Sequence, residues 1–435
     1  MPLIVELLEA RGGDWICTLP PGENHVTDRP VRLPGGITLR PIRISEPILE
    51  QHYLTIGVRL MLWLFHYLLD TSREPVFDAG FSAAWEGYEA VNRAYADRLG
   101  TLDDGPDEQL LINDYHLFLV PEMVRRAGRM TYFHGLPWCE PQYFAVLPRH
   151  IRDRILASLL RCDVVGFHDT RWAEAFMRCC ATFLPDCRLG DREVIHRGKA
   201  SRIAVAPFPL DVDTLTRMGG EPQTEQWRER LAVPSRGRRV LVRADRLDLW
   251  KNHLRGFAAY RTLLESDPAL ARRWWFCAVT TVPTRTTERS REYQRRCEAM
   301  VAEINDTFGT SECPAVSLVY PDLGTSRHCV TAALSQADIV LVNPTIDGMN
   351  LVAKEALFVA EEAPLLLSVN AGAYEQVAAH VTPLQPFDVV ATATALREAM
   401  RAGRGGGRGG SRREDLVSLL AGTGPTGWLD ELTRG

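Results

Sequence analysis

The sequence predicts an α/β protein made of two doubly wound, Rossmann-like domains. Three observations predict it. Short apolar runs alternate with segments of helical spacing, this alternation occurs in both halves, and Pro207 and Pro209 interrupt it between them. At 435 residues the chain is too long for one compact core and suits two domains of ordinary size.

In the first half, residues 54–69 form a long apolar-rich segment that predicts a buried helix, and 83–99 predict a second. Residues 108–112, 129–133 and 162–167 are short apolar runs that suit buried parallel strands. Helical spacing marks 119–126 and 148–160, the latter with Pro148 where a helix begins. The second half repeats the rhythm. Strands are predicted at 239–243, 274–280, 315–320, 338–343 and 364–368, and helices at 252–264, 293–308, 327–335 and 351–361. The predicted domains are therefore 1–208 and 209–400, with 401–435 as a linker and a short terminal helix anchored by Trp428.

Composition removes several function classes. The formal net charge of −5 argues against a nucleic-acid binder, which carries a basic surplus. No run of about 18 apolar residues occurs, so no membrane span is expected. Acidic residues interrupt the start of the chain at once, unlike the basic opening of a signal peptide, and a cytoplasmic protein is expected. Ten cysteines form no CxxC pair or zinc pattern, so free thiols are expected, with Cys139 beside an expected loop. The Gly/Arg-rich stretch within 401–413 follows no strand and opens no helix. It reads as flexible linker in preference to a phosphate loop or an RNA-binding stretch. No metal or cofactor is expected, and a homo-oligomer is left open.

Three loops carry the candidate chemistry. After the strand at 239–243 come Arg246 and Lys251, ahead of a helix. Ligands of doubly wound sheets bind at the carboxyl ends of strands, and two cations there can neutralise a diphosphate leaving group. Solvated surface cations are the competing reading. The second loop runs Thr345-Ile-Asp-Gly-Met-Asn-Leu-Val, again between strand and helix. Gly348 and its successors can offer backbone N–H groups to a phosphate or sugar hydroxyl, Asp347 can accept from a sugar, and Glu355 has the reach to clamp a ribose diol. An ordinary Asp-Gly turn with a helix cap is the alternative. The third pair of loops, Asn113-Asp-Tyr-His116 and Phe133-His-Gly-Leu-Pro-Trp138, each follow a first-domain strand and are expected to line one inter-domain cleft. His134 and Asp114 are candidates for touching the transferred sugar, although a lone histidine after a strand is often structural.

Taken in order, Trp85-Glu-Gly-Tyr, Asp114-Tyr-His, His134-x-x-Pro, Arg246-Leu-Asp-x-x-Lys and Asp347-Gly-Met-Asn-Leu-Val-x-x-Glu resemble the trehalose-6-phosphate synthase family of retaining glycosyltransferases. The likeness runs from near residue 3 to the C-terminus. It implies the GT-B fold, two facing Rossmann-like domains with a cleft between them. It also implies roles by position. Arg246 and Lys251 would hold the donor diphosphate. Asp347, Gly348, Met349 and Asn350 would meet the sugar, with the backbone of Leu351 and Val352 on the phosphates. Glu355 would bind the ribose, His134 a donor-sugar hydroxyl, and Arg327 would border the nucleobase. Asp114, Tyr67, Trp85 and Arg285 fall where the family contacts its acceptor. The partners implied are a nucleoside-diphosphate sugar and a small-molecule acceptor. No protein nucleophile or metal is implied, because the leaving phosphate helps to deprotonate the acceptor on the same face of the sugar.

The sequence departs from the resemblance on the acceptor side. Residues 5–15 already match the helix that follows the family's first strand, Ser-Asn-Arg segment and Gly-Gly loop. Asn113 stands for the usual histidine and Gly135 for a bulkier apolar residue. The expectation is a donor site that is kept, GDP favoured over UDP, with an acceptor other than glucose 6-phosphate. The Ala/Arg/Gly-rich composition suits an actinobacterial source, where such relatives serve specialised-metabolite formation. Pseudo-glycosyl transfer in validamycin formation and S-glycosylation of a small thiol in lincosamide pathways are the two settings in view. The alternatives are a trehalose-6-phosphate synthase with a truncated start and a regulatory protein that binds nucleotide sugar without turnover.

Overall fold

The computed structural model describes residues 2–19, 28–282, 287–403 and 413–434. The chain divides into two compact units, Met1–Pro209 with Thr423–Gly435, and Leu210–Gly422.

The first unit opens with the helix Pro2–Arg11. Gly12 and Gly13, at φ 69° and 127°, end it in a backbone conformation that side chains resist. Strand β1 (Gly13–Thr18) follows, then β2 (Val31–Arg32) and β3 (Ile37–Ile42), which form a small sheet in the order β1-β3-β2. Residues 5–15, expected as one helix, are thus helix and strand, because the glycine pair breaks them. The apolar segment expected as a helix at 54–69 is a π-helix over Glu50–Leu62 that runs on into the helix Trp63–Phe65. The helix Ala79–Leu99 is capped by Asp78, which accepts from the N–H of Phe81 at 2.9 Å. The helix expected at 119–126 is only Val120–Met123, since Val124 is already extended.

The main sheet of this unit contains β4 (Gln109–Asn113), β5 (Arg129–His134), β6 (Val164–Phe167), β7 (Cys187–Leu189), β8 (Glu193–His196) and β9 (Lys199–Val205). Its order is β4-β5-β6-β9-β8-β7. The first four are parallel, and β8 and β7 continue antiparallel. All four residues of β6 are buried, as a parallel strand covered on both faces requires. The helix Gly424–Thr433 belongs to this unit. Buried Trp428 donates its indole N–H to the carbonyl of Ala206 at 2.9 Å and meets the rings of Phe133 and Phe208 at 5.0 and 4.9 Å. Residues 401–435 are therefore no separate segment. The helix Arg413–Ala421 instead contributes Leu416 and Leu420 to the core of the second unit. The Gly/Arg-rich stretch lies largely outside the described residues.

The second unit is a six-stranded, wholly parallel sheet. Its strands are β10 (Arg239–Arg246), β11 (Trp274–Thr281), β12 (Val316–Val319), β13 (Ile339–Val342), β14 (Leu365–Ser368) and β15 (Thr382–Leu384). The order is β12-β11-β10-β13-β14-β15, so the winding reverses between β10 and β13. That reversal is the topological switch point where doubly wound sheets bind ligands. Two apolar clusters cover the sheet. Val240, Val242 and Ala244 belong to one and Leu241 to the other, as alternation along β10 dictates.

Among the described residues no helix is long and apolar enough to cross a membrane. All ten cysteines are free thiols.

Candidate functional site

The switch point of the second unit gathers most of the residues expected to hold a donor. β10 ends at Arg246, and the short 3-10 turn Leu249–Lys251 returns Lys251 to within 3.3 Å of Asp245. Asn252, in the left-handed conformation at φ 64°, donates from its amide to the carbonyls of Asn343 and Pro386 at 2.9 and 2.8 Å. The loop after β13 is tied to the same turn, because the N–H of Thr345 donates to the carbonyl of Trp250 at 2.8 Å. Its far side is laced to residues 370–373. Asp347 N–H donates to Asn370 O at 3.1 Å, Gly372 N–H to Asp347 O at 3.1 Å, and Ala373 N–H to Met349 O at 2.7 Å. Gly372 is required by contact. A Cβ there would overlap the carbonyl oxygen of Gly348 and stand 2.8 Å from its carbon.

Lys251 is the hub. Its ammonium donates to Asp347 at 2.6 Å, and the same carboxylate oxygen accepts from Asn350 at 3.0 Å. Asn350, at φ 72°, also caps the helix Leu351–Val359 by accepting from Ala353 N–H at 3.1 Å. Burial works to lower the Lys251 pKa, but the carboxylates of Asp347 and Asp245 outweigh it and hold the ammonium above its ordinary value. Asp245 is pushed up by burial, with Lys251 and Arg243 pulling the other way. Arg246 points outward, 61% exposed, and pairs with Asp248 at 2.7 Å. A pocket beside this hub is lined by Arg246, Thr280, Ser326, Arg327, Val352 and Glu355. Burial raises the Glu355 carboxyl to about 7 against the pull of Arg327. Met349 is buried and Leu351 is exposed.

The expected acceptor-side residues lie at the carboxyl ends of β4 and β5. Asn113 pairs with Phe133 in register, so Asp114 and His134 emerge side by side, with Asp114 Oδ1 3.9 Å from His134 Nδ1. Asp114 sits at φ 69°, and burial raises its carboxyl to about 6. His134 is fully buried. Its ring meets Phe65 at 4.7 Å and Trp138 at 5.0 Å, and Nδ1 lies 3.0 Å from the Tyr132 hydroxyl. Burial lowers its pKa to about 3, which leaves the imidazole neutral. The ring thus faces aromatic side chains and not an open pocket. Tyr67, at φ 54°, accepts from Glu140 N–H at 2.7 Å and stacks on Tyr143 at 4.6 Å. Trp85 is buried and stacks on Tyr88 at 5.0 Å. Arg285 lies outside the described residues. Among the described residues no three His, Cys, Asp or Glu side chains are grouped to hold a metal ion.

Sequence reasoning missed Arg243 and Asp245. The signal was present: Arg243 and Asp245 stand at alternate positions of the strand and so fall on one face, with Leu241, where a buried charge needs a partner.

The comparisons with known proteins agree with this architecture. The model of glycosyltransferase family 20 matches residues 9–413. A bifunctional trehalose-6-phosphate synthase/phosphatase of Thermoproteus tenax is 32% identical over 388 residues, 87% of this chain and 51% of the relative, so the chain spans about half the length of that protein. A validamine 7-phosphate valienyltransferase of Streptomyces hygroscopicus subsp. jinggangensis is 29% identical over 386 residues, 87% of this chain and 75% of the relative. Among solved structures, an α,α-trehalose-phosphate synthase (UDP-forming) from Burkholderia xenovorans in complex with glucose-6-phosphate is similar at a TM-score of 0.87 and 22% identity. That match covers 100% of this chain and 95% of the other. At such identity the structural likeness speaks for the fold, the GT-B arrangement of two Rossmann-like domains. A family model spanning nearly the whole chain and a relative above 30% identity along 87% of it place the protein in glycosyltransferase family 20, the trehalose-6-phosphate synthase-like glycosyltransferases.

Proposed function

We propose that the protein transfers a sugar, with retention, from a nucleoside-diphosphate sugar to a small-molecule acceptor other than glucose 6-phosphate. GDP is the preferred nucleotide, with UDP second, and the setting is cytoplasmic specialised-metabolite formation. The observation that carries the donor half is the convergence of Lys251, Asp347 and Asn350 at the switch point, beside a pocket lined by Arg246, Arg327 and Glu355. In this reading Arg246 and Lys251 hold the diphosphate with the backbone of Leu351 and Val352. Asp347, Gly348, Met349 and Asn350 grip the sugar, Glu355 takes the ribose diol, and Arg327 borders the base. Negative charge that builds on the leaving diphosphate is met by cations already in place.

Asp114, Tyr67, Trp85 and Arg285 hold the acceptor. A donor-sugar contact by His134 needs the aromatic cluster around it to shift. Support for an altered acceptor comes from the departures at Asn113 and Gly135 from the family pattern. A Cβ at Gly135 would meet Asp114 Oδ2 at 3.7 Å and His168 Nε2 at 3.9 Å, ordinary contacts, so nothing local forces glycine there. The valienyltransferase relative supports the same reading. A second reading, synthesis of trehalose 6-phosphate, is favoured by the Thermoproteus tenax relative. A mass-spectrometric screen of GDP- and UDP-sugars against sugar phosphates, cyclitols and small thiols separates them. Transfer to a cyclitol or thiol is expected. Stoichiometric trehalose 6-phosphate from a glucose donor would overturn the altered acceptor, and no transfer at all would favour a binding protein without turnover.

A further inference from the structure

Arg243 lies in the middle of β10, fully buried, and none of the proposed donor contacts uses its charge. Strand alternation puts Arg243 and Asp245 on the face of Leu241. The guanidinium fits because the helix His253–Ser266 has no side chain at Gly256, where a Cβ would stand 2.8 Å from Nη1. Nη2 donates to the carbonyl oxygen of Lys251 at 2.7 Å and lies 3.3 Å from Asp245 Oδ2. The other Asp245 oxygen is 3.3 Å from Lys251 Nζ, which holds Asp347 at 2.6 Å. The result is a row of alternating sign, Arg243, Asp245, Lys251, Asp347, whose formal charges sum to zero.

Of the charged neighbours, Arg246 opposes the Lys251 charge and is itself paired with Asp248 at 2.7 Å. His253 is buried, with its pKa lowered by burial and by the two cations, and its backbone N–H donates to the neutral hydroxyl of Tyr293 at 2.7 Å. Without Arg243 the row would carry one net negative charge, and Lys251 alone would have to balance the two carboxylates between which it lies as a diphosphate arrives. A buried cation is expensive to desolvate, so its presence calls for a charge that it balances.

We propose that Arg243 is a positioning residue of the donor site. It neutralises Asp245 and fixes the Lys251 backbone, so that the Lys251 charge stays available to an anionic diphosphate. This rests on the donor-site reading above.

The test is calorimetric titration with GDP and UDP, with urea unfolding to check each variant. At pH 8, Arg243→Met weakens nucleotide binding by roughly tenfold, the effect of one unit charge acting across about 12 Å at an effective dielectric of about 20. Removing the opposite charge as well, with Asp245→Asn, restores affinity to within about threefold of wild type, a coupling that a mere packing role does not produce. The gap between the single and double variants narrows as pH falls, because burial pushes the Asp245 carboxyl up and favours its taking a proton. If Arg243→Met does not fold, two other variants carry the test. Arg243→Lys keeps the charge and binds within about threefold of wild type, and Asp245→Asn alone binds more tightly than wild type. A wild type that binds neither nucleotide overturns the donor-site reading and this proposal with it. A wild type that binds, with a double variant no tighter than Arg243→Met or an Asp245→Asn weaker than wild type, overturns this proposal alone.

Discussion

Replacing Gly372 by alanine places a methyl group where the donor loop already runs. The new carbon would overlap Gly348 O and stand 2.8 Å from Gly348 C and 3.2 Å from Met349 Cα. Carbon atoms rest comfortably at about 3.5–4.0 Å, so the two segments must part by about 1 Å. Three hydrogen bonds lace them together, from Gly372 N–H to Asp347 O, from Asp347 N–H to Asn370 O and from Ala373 N–H to Met349 O. At a net contribution of roughly 1 kcal/mol each, losing two or three costs about 2–3 kcal/mol of unfolding free energy. The functional loss is larger than that of an average surface change, because Asp347 orients both Lys251 and Asn350. A displacement of about 1 Å in a positioned group can cost about a hundredfold in rate. Urea unfolding, nucleotide calorimetry and turnover on the preferred donor are the assays. Stability within about 0.5 kcal/mol of wild type together with unchanged nucleotide affinity would mean that the two segments are not held by this contact, since surface substitutions behave that way.

Glu355 supplies a pH signature. With its carboxyl raised to about 7, nucleotide affinity should rise as pH increases through 7 and the carboxylate forms to accept from the ribose diol, and Glu355→Gln should flatten the profile. The sign for stability is opposite. A folded-state value above the ordinary 4.5 favours the fold below about 4.5, and this contribution is lost as pH rises toward 7, a slope that Glu355→Gln removes in urea titrations. Trp428→Ala should cost about 3–5 kcal/mol, because a fully buried indole is deleted from a cluster with Phe133 and Phe208. Trp428→Phe should cost less, about 1 kcal/mol of it from the lost bond to Ala206 O, and chemical denaturation distinguishes the two. Asp114→Asn should remove an acidic limb of the turnover profile near pH 6, read by initial rates at saturating donor.

Much of the fold was legible where periodicity is strong. The second unit announces itself through five apolar runs such as Ile339–Val342, because strands buried on both faces are continuously apolar. The short β1–β3 sheet was not legible. Its strands are half-exposed, carry charges such as Asp14 and Arg40, and one of them is only Val31–Arg32. The segment 54–69 read only as a buried helix, because its apolar richness signals burial but does not distinguish the i→i+5 bonding of the π-helix Glu50–Leu62 from that of an α-helix. At the site, Lys251 and Asp347 stand 96 positions apart in sequence and meet at 2.6 Å only because β10 and β13 are neighbours. Motif order pointed to both residues, and it gave no hint that they pair. It also could not show that His134 is walled in by Phe65 and Trp138, which depends on tertiary packing.

In the proposed donor site Lys251, with Arg246, receives the diphosphate of a nucleotide-linked sugar. Titration of wild type and Lys251→Ala with GDP and UDP tests it most directly. At least one nucleotide is expected to bind wild type, and Lys251→Ala, still folded by urea unfolding, to lose tenfold or more, roughly the contribution of one charge-assisted contact to a phosphate. Binding of neither nucleotide, or equal binding by the two proteins, would contradict it.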